Sequence, residues 1–373
     1  MKGRKEDVAE WVVAKATELH EIALRVHKAY PLDPKIDEFK ANPWTILKLF
    51  VLLHYVPVYT SIIRDRYDKM VYIDLFSGSG LLAYKNTEVP VAGSPIVTLY
   101  VALEPFDHAF LNDLSKKKRE LLSKRINYLK EHNLINVYNI SCTQGDANSI
   151  IYEILENLIG KKVHGLIFID PSGLEFRWAS LEALLKVRLR FDIIMLYQSY
   201  SVAMQALSRI RREREGVKAE ALHVFIGDKD WLSYLKEQGG KELSRVEIER
   251  LMLEYYTDKI KRILRKHGFD DVVIPINIKL EGLPEASYSI LFICKHLGGF
   301  VNAMEYIKER IENAPENIID ITMKALQQGE RAPGLLKYSR EFIERVDELK
   351  ITHKFKKLRK KGKTIPLNKF KKS

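Results

Sequence analysis

Tyr72-Ile73-Asp74-Leu75-Phe76-Ser77-Gly78-Ser79-Gly80 runs a short apolar segment into a glycine-rich turn. The segment reads as a buried strand. Gly78 and Gly80 lack a Cβ, so backbone can approach a ligand closely at the strand's carboxyl edge. Outward from it, β-rich runs alternate with helical ones. Val71–Phe76 precedes a helix near 94–104, Ala109–Leu114 precedes 115–132, and Val137–Ile140 precedes 148–159. Gly165–Ile169 then precedes 178–187, and Phe191–Tyr197 precedes 200–213. Five strand-then-helix units predict a mostly parallel α/β sheet, Rossmann-like, with helices on both faces. Val272–Ile278 and Ser287–Cys294, joined by the turn-like Gly282-Leu-Pro-Glu285, predict an antiparallel closing strand that a bare dinucleotide fold lacks.

Upstream, 6–30 and 43–66 carry apolar residues at three and four spacing (Val8, Trp11, Val12, Ala16, Leu19, then Ile46, Leu49, Phe50, Leu53), broken at Pro31–Pro34. The expected organisation is an N-terminal helical region (1–68), a sheet domain (69–305) with a charged insertion at about 214–245, a C-terminal helical region (306–350) and a basic tail (351–373). There is no internal repeat.

The 373 residues are 46% apolar, which excludes disorder as the main state, and 61 Lys and Arg against 49 Asp and Glu give a net charge of +12. Ten of those charges lie in 351–373, which has no Asp or Glu, so the other 350 residues carry only +2. With Phe355, Phe370 and Pro366 interleaved, Lys356, Lys357, Arg359, Lys360 and Lys361 read as a nucleic-acid arm rather than a merely solubilising tail. No unbroken apolar run approaches the roughly 20 residues of a membrane span, and no apolar segment follows the basic start, so no membrane partner and a cytoplasmic setting are expected. Cys142 and Cys294 alone make neither a disulfide framework nor a thiolate zinc site. The histidines, among them His108, His164, His223 and His296, lack ligand spacing, so no metal is expected. Abundant Lys, Glu and Ile with few Gln resembles a thermophile's composition.

The spacing Gly78-x-Gly80-x-x-Ala83 also fits a nicotinamide-dinucleotide fingerprint, whereas a Walker loop is excluded because no Gly-Lys-Ser/Thr follows. Asp74 separates the remaining readings: a carboxylate there would repel a pyrophosphate but suits a cationic end, such as the ammonium and sulfonium of S-adenosylmethionine. Phe76, Gly78, Ser79, Gly80 and Ala147 are expected with Asp74 among the residues that hold that cofactor. Asp113 would take the ribose hydroxyls and Asp146 the adenine amino group, although Asp146 also suits a helix cap. Leu166-Ile-Phe-Ile-Asp-Pro-Ser-Gly-Leu174 delivers Asp170 and Pro171 to the same edge. A carboxylate ending an apolar strand suggests a site. Asp170 and the Pro171 carbonyl would accept from the N–H groups of an exocyclic base amine and aim its nitrogen at a methyl donor. Phe176, Trp178, Tyr197 and Tyr200 are either stacking partners for that base or core residues. Cys142 and Cys294 read as buried small residues, which disfavours carbon-5 chemistry.

These motifs resemble class I S-adenosylmethionine-dependent methyltransferases. The fuller order over about 40–305 is similar to the three-Cys-motif partner proteins: Ile46-Leu-Lys48, the Gly loop, Ala92-Gly-Ser-Pro95, Asp-Pro-x-Gly, Phe225-Ile-Gly with Trp231, and Tyr288–His296 before Gly298-Gly299. That resemblance implies the fold and the cofactor. Asp170-Pro171 is also similar to the Asp/Asn/Ser-Pro-Pro-aromatic signature of base amino methyltransferases, with Ser172 and Gly173 replacing the second proline and the aromatic. Phe176 or Tyr197 would have to supply the missing ring. The expected activity is methylation of an RNA base amine, cytosine N4 favoured, in ribosomal or transfer RNA. The alternatives are a DNA amino methyltransferase of a mobile or defence system and a non-catalytic RNA- or protein-binding module. RNA is preferred because no separate target-recognition domain is evident and a basic arm suits structured RNA.

Overall fold

The computed structural model describes residues 2–313 except 38–39, 42, 85–88, 213–216, 281–282 and 296–299. The basic tail, with Lys356, Lys357, Arg359, Lys360 and Lys361, and most of the expected 306–350 region lie outside the described residues. The chain begins with α1 (Lys2–Ala29), β1 (Lys40–Ala41) and α2 (Pro43–Arg64). Then come β2 (Lys69–Asp74), β3 (Leu81–Tyr84), β4 (Pro90–Ala92) and α3 (Ser94–Val101). Alternation follows as β5 (Phe106–Asp113), α4 (Lys116–Glu131), β6 (Val137–Gln144), α5 (Ala147–Leu158), β7 (Val163–Ile169), α6 (Trp178–Lys186), β8 (Arg190–Tyr197) and α7 (Ser199–Arg212). The last described elements are α8 (Val217–Ile226), α9 (Asp230–Glu237), α10 (Arg245–Lys266), β9 (Val272–Leu280), β10 (Leu283–Cys294) and α11 (Phe300–Glu312).

The main sheet has the order β6-β5-β2-β7-β8-β10-β9. β10 runs antiparallel to both its neighbours, and the other pairings are parallel. This is the Rossmann-like sheet of class I methyltransferases. The chain moves outward from β2 through β5 to β6, then returns to β7 on the other side. That reversal opens a crevice at the carboxyl ends of β2, β5 and β7, where open α/β sheets bind ligands. A second, three-stranded sheet, β1-β3-β4, was not legible in the sequence.

Strand alternation divides the core in two. Leu166, Phe168, Ile194, Leu196, Ile290 and Phe292 face one side, with α2, α3 and α11. Ile167, Ile169, Ile193, Met195, Tyr197, Leu291 and Ile293 face the other, with α5 to α8 and α10. Among the described residues, α2 comes nearest to the length of a membrane span, although Lys48 and His54 interrupt its apolar run. Thr45–Arg64 is long and apolar enough to cross one, but 94% of that window is buried inside the fold. It passes because it is a central core helix, apolar on all sides.

Within the segment expected as an insertion, α8 and α9 bury Leu222, Phe225, Ile226, Trp231 and Leu235 in the second core. The Phe225-Ile-Gly and Trp231 motif is a structural clasp. At Gly227 (φ +87°) a Cβ would lie 2.2 Å from the Trp178 ring. Asp228 accepts from Tyr255 Oη at 2.9 Å and from Lys259, whose ammonium sits 4.0 Å from the Trp178 ring centre.

Asp192 is fully buried on β8 and accepts from Tyr55 Oη at 2.7 Å. Burial pushes its carboxyl up to about 6, against the pull of the Cys294 thiol and the Tyr55 hydroxyl. A carboxyl with a higher pKa folded than unfolded contributes stability that is present at acid pH and lost as pH rises from about 4 through about 6. Asp192→Asn is therefore expected to shrink the decline in unfolding free energy over that window by up to about 3 kcal/mol, as read by urea denaturation at successive pH values.

Candidate functional site

A cavity of about 320 Å³ opens at the crevice between β2, β5 and β7. Its floor is the turn after β2, where Gly78 (φ +61°) and Gly80 (φ +88°) adopt left-handed backbone. At Gly80 a Cβ would lie 2.9 Å from Leu122 Cδ1 and 3.0 Å from Ile96 Cδ1, whereas nothing lies within 4 Å of one at Gly78. Gly80→Ala combines strain with a clash and is expected to destabilise by about 1–3 kcal/mol, more than Gly78→Ala, in paired thermal melts.

The turn is stitched down from several directions. Ser77 N donates to the Asn112 carbonyl at 2.8 Å, and Gly78 N donates to Asp113 Oδ2 at 3.0 Å. Asp113 Oδ1 accepts from Ser115 N at 2.7 Å, and Asn112 Nδ2 donates to the Leu75 and Gly145 carbonyls at 3.1 and 3.0 Å. From above, the fully buried Arg125 of α4 donates to Asp37 at 3.0 and 2.9 Å, to the Ser79 carbonyl at 3.0 Å and to the Pro31 carbonyl at 2.8 Å. Ser79 Oγ also donates to Asp37. The segment leading to β1 is thus fastened to the glycine turn, and Ile36 and Asp37 join the cavity wall.

The opposite wall is the Asp170-Pro171-Ser172 turn after β7, with Gln198 and Leu196 from the end of β8, Tyr288 of β10, and Thr45, Lys48 and Leu49 of α2. Lys48 and Asp170 form an ion pair, each side chain about one-sixth exposed (16% and 15%). The pair uses Asp170 Oδ2, and Oδ1 makes no hydrogen bond among the described residues. Gln198 Nε2 donates to the Pro171 carbonyl at 3.2 Å, which leaves that oxygen a second lone pair. Burial raises the Tyr288 phenol, with a further contribution from the Asp170 charge.

Among the sequence candidates, Phe76, Gly78, Ser79, Gly80, Asp113, Asp170, Pro171 and Ser172 line this one cavity. Asp74 does not. It is fully buried beneath the turn and accepts from Ser94 Oγ (2.7 Å), Tyr72 Oη (2.8 Å) and Phe76 N (3.2 Å). Burial raises its carboxyl to about 6, opposed by those three donors. Its place is to hold the turn rather than to touch a ligand. Asp146 caps α5 by accepting from Asn148 N at 2.9 Å, and neither it nor the buried Ala147 lines the cavity. Gly173 stands off the wall and donates to Glu175 at 2.7 Å. Phe176 and Tyr197, expected against the target base, are fully buried core residues. Phe176 meets Phe76 edge-on at 6.4 Å, and Tyr197 packs with Phe225 and Tyr256. The reason for Tyr197 is strand alternation: Leu196 faces the cavity side, so its neighbour must face away. The rings on the wall are Phe76 and Tyr288.

The donor set suits a nucleoside-bearing cofactor. Gly78 presents open backbone, and Asp113 keeps acceptor capacity beyond its two N–H partners, enough for a ribose diol. Among the described residues no group of three or more His, Cys, Asp or Glu side chains could hold a metal ion.

No protein-family model matches the chain, and no curated protein does. Among solved structures, it is similar to a protein of Legionella pneumophila at 13% identity over 71% of this chain and 93% of that one, with a TM-score of 0.40. A geranyl diphosphate methyltransferase in complex with S-adenosylmethionine overlaps at 11% identity over 66% and 84% of the two chains, with a TM-score of 0.24. An O-methyltransferase of a Brevibacillus brevis polyketide synthase, in complex with S-adenosyl-L-homocysteine, overlaps at 13% identity over 76% and 84%, with a TM-score of 0.23.

Proposed function

We propose that this chain is an S-adenosylmethionine-dependent methyltransferase acting on an exocyclic base amine of RNA. The observation that carries the proposal is the meeting of two half-sites in one cavity: the open glycine turn with Asp113, and the acceptor pair of Asp170 and the Pro171 carbonyl. Gly78, Ser79, Gly80 and Asp113 would hold the cofactor. When bound, S-adenosylmethionine supplies an electrophilic sulfonium methyl. Asp170 Oδ1 and the Pro171 oxygen accept from the amine's two N–H groups, which fixes its nitrogen and favours the lone pair as nucleophile. Lys48 holds the Asp170 carboxylate in place from Oδ2, and Gln198 does the same for the Pro171 carbonyl. Tyr288 offers a ring against the base, in place of the aromatic missing from the Asp-Pro-Ser-Gly turn.

The nucleic-acid half rests on the sequence: an acceptor pair shaped for an amine, and ten cations in 351–373 without a carboxylate. Cytosine N4 of ribosomal or transfer RNA is the favoured target, and the motif order of the three-Cys-motif partner proteins agrees with the cofactor. Thermal shift with S-adenosylmethionine against NAD tests the cofactor, with stabilisation expected only for the first. Nucleoside mass spectrometry of RNA and DNA from a strain lacking the gene tests the substrate. Loss of a methylated RNA nucleoside is expected, and loss confined to DNA would overturn the RNA assignment.

A further inference from the structure

α4 opens with Lys116-Lys117-Lys118-Arg119 and has no acidic residue in its first turn. Over Lys116–Glu131 seven cations stand against two carboxylates, a net of +5, while the first 350 residues together carry only +2. Four cations at the positive end of a helix macrodipole disfavour the helix. Internal pairing offsets little of this. Arg125 is spent on Asp37, and Arg119 meets Glu120 at 3.7 Å. Lys116, Lys117 and Lys124 are exposed and make no ion pair among the described residues. The first turn of α4 also borders the cavity, since Lys118 lies on its wall together with Asp113 at the end of β5. The body's positive charge is therefore concentrated in an arrangement unfavourable for the helix, beside the mouth through which substrate must enter.

We infer that the exposed face of α4, through Lys116, Lys117 and Lys124, is a landing surface for the phosphate backbone of an RNA substrate whose target base enters the adjoining cavity. This rests on the nucleic-acid reading above and adds a folded contact beside the cavity to the basic tail. Phosphate contacts of this kind set position and salt dependence, not sequence choice.

The test is fluorescence anisotropy of the full chain with a labelled structured RNA over a salt series, comparing wild type with Lys116→Glu/Lys117→Glu/Lys124→Glu. S-adenosylmethionine affinity is measured in parallel. The variant is expected to bind RNA at least about tenfold more weakly, with a log–log salt slope smaller by about 2 to 3, and to bind S-adenosylmethionine as wild type does. Glu at 116 and 117 suits a helix N-terminus, so its melting temperature should be equal or higher. Unchanged RNA affinity and slope in the variant would overturn the α4 surface alone. Failure of wild type to bind RNA, with cofactor binding intact, would overturn the surface and the nucleic-acid reading together.

Discussion

Asp170→Ala is expected to lower methyl transfer by at least about 100-fold while leaving S-adenosylmethionine affinity within a few-fold of wild type. The expectation follows from where Asp170 sits. The residues proposed to hold the cofactor are Gly78, Ser79, Gly80 and Asp113, whereas Asp170 lines the cavity with Pro171, Gln198 and Tyr288. Removing its carboxylate takes away one of the two acceptors proposed to orient the amine and strands the Lys48 ammonium, without touching the glycine turn. Lys48→Met is expected to act in the same direction but less strongly, because it leaves the Oδ1 acceptor in place. Single-turnover methyl transfer alongside cofactor titration separates the two effects. Wild-type turnover in Asp170→Ala would refute the assigned role.

Arg125→Met is expected to destabilise the fold by about 3–5 kcal/mol, the largest stability effect expected of a single replacement here. The guanidinium is fully buried and ties two other parts of the chain to α4: the segment before β1, through Asp37 and the Pro31 carbonyl, and the glycine turn, through the Ser79 carbonyl. Its loss leaves the Asp37 carboxylate, itself only 5% exposed, as an uncompensated buried charge. Asp37→Leu combined with Arg125→Met should lose clearly less than the sum of the single changes, since no charge is then left unpaired. Urea denaturation of the four proteins in the cycle measures this. A single-variant loss under about 1 kcal/mol would show that the pair does not hold the turn.

The sheet was legible because its signal is periodic and local. Apolar runs of four to eight residues followed by helical spacing recur five times, and the antiparallel close was marked by two β-rich runs around a turn. Strands β1, β3 and β4, of two to four residues, give no such period. Half of the candidate site was legible for the same reason: strand ends on one edge follow from the unit order, which brought Gly78, Asp113 and Asp170 together. Facing was not legible. Phe176 and Tyr197 lie close in sequence to site residues, but the side that Tyr197 of β8 presents depends on register, and the packing of Phe176 in the loop before α6 depends on what covers that face. The contacts that complete the wall are long-range: Lys48 is 122 residues from Asp170, and Asp37 is 88 from Arg125. One local clue was present. Arg125 falls among Leu122, Ile126 and Leu129 on the apolar stripe of α4, and a cation placed there requires a buried partner.

Incubating the purified chain with total RNA and S-adenosylmethionine labelled in its methyl group, then counting label in the RNA, tests directly whether the chain is an RNA methyltransferase. Label incorporated by wild type and lost in Asp170→Ala is the expected result. No label above background with wild type, in RNA from cells lacking the gene, would contradict it.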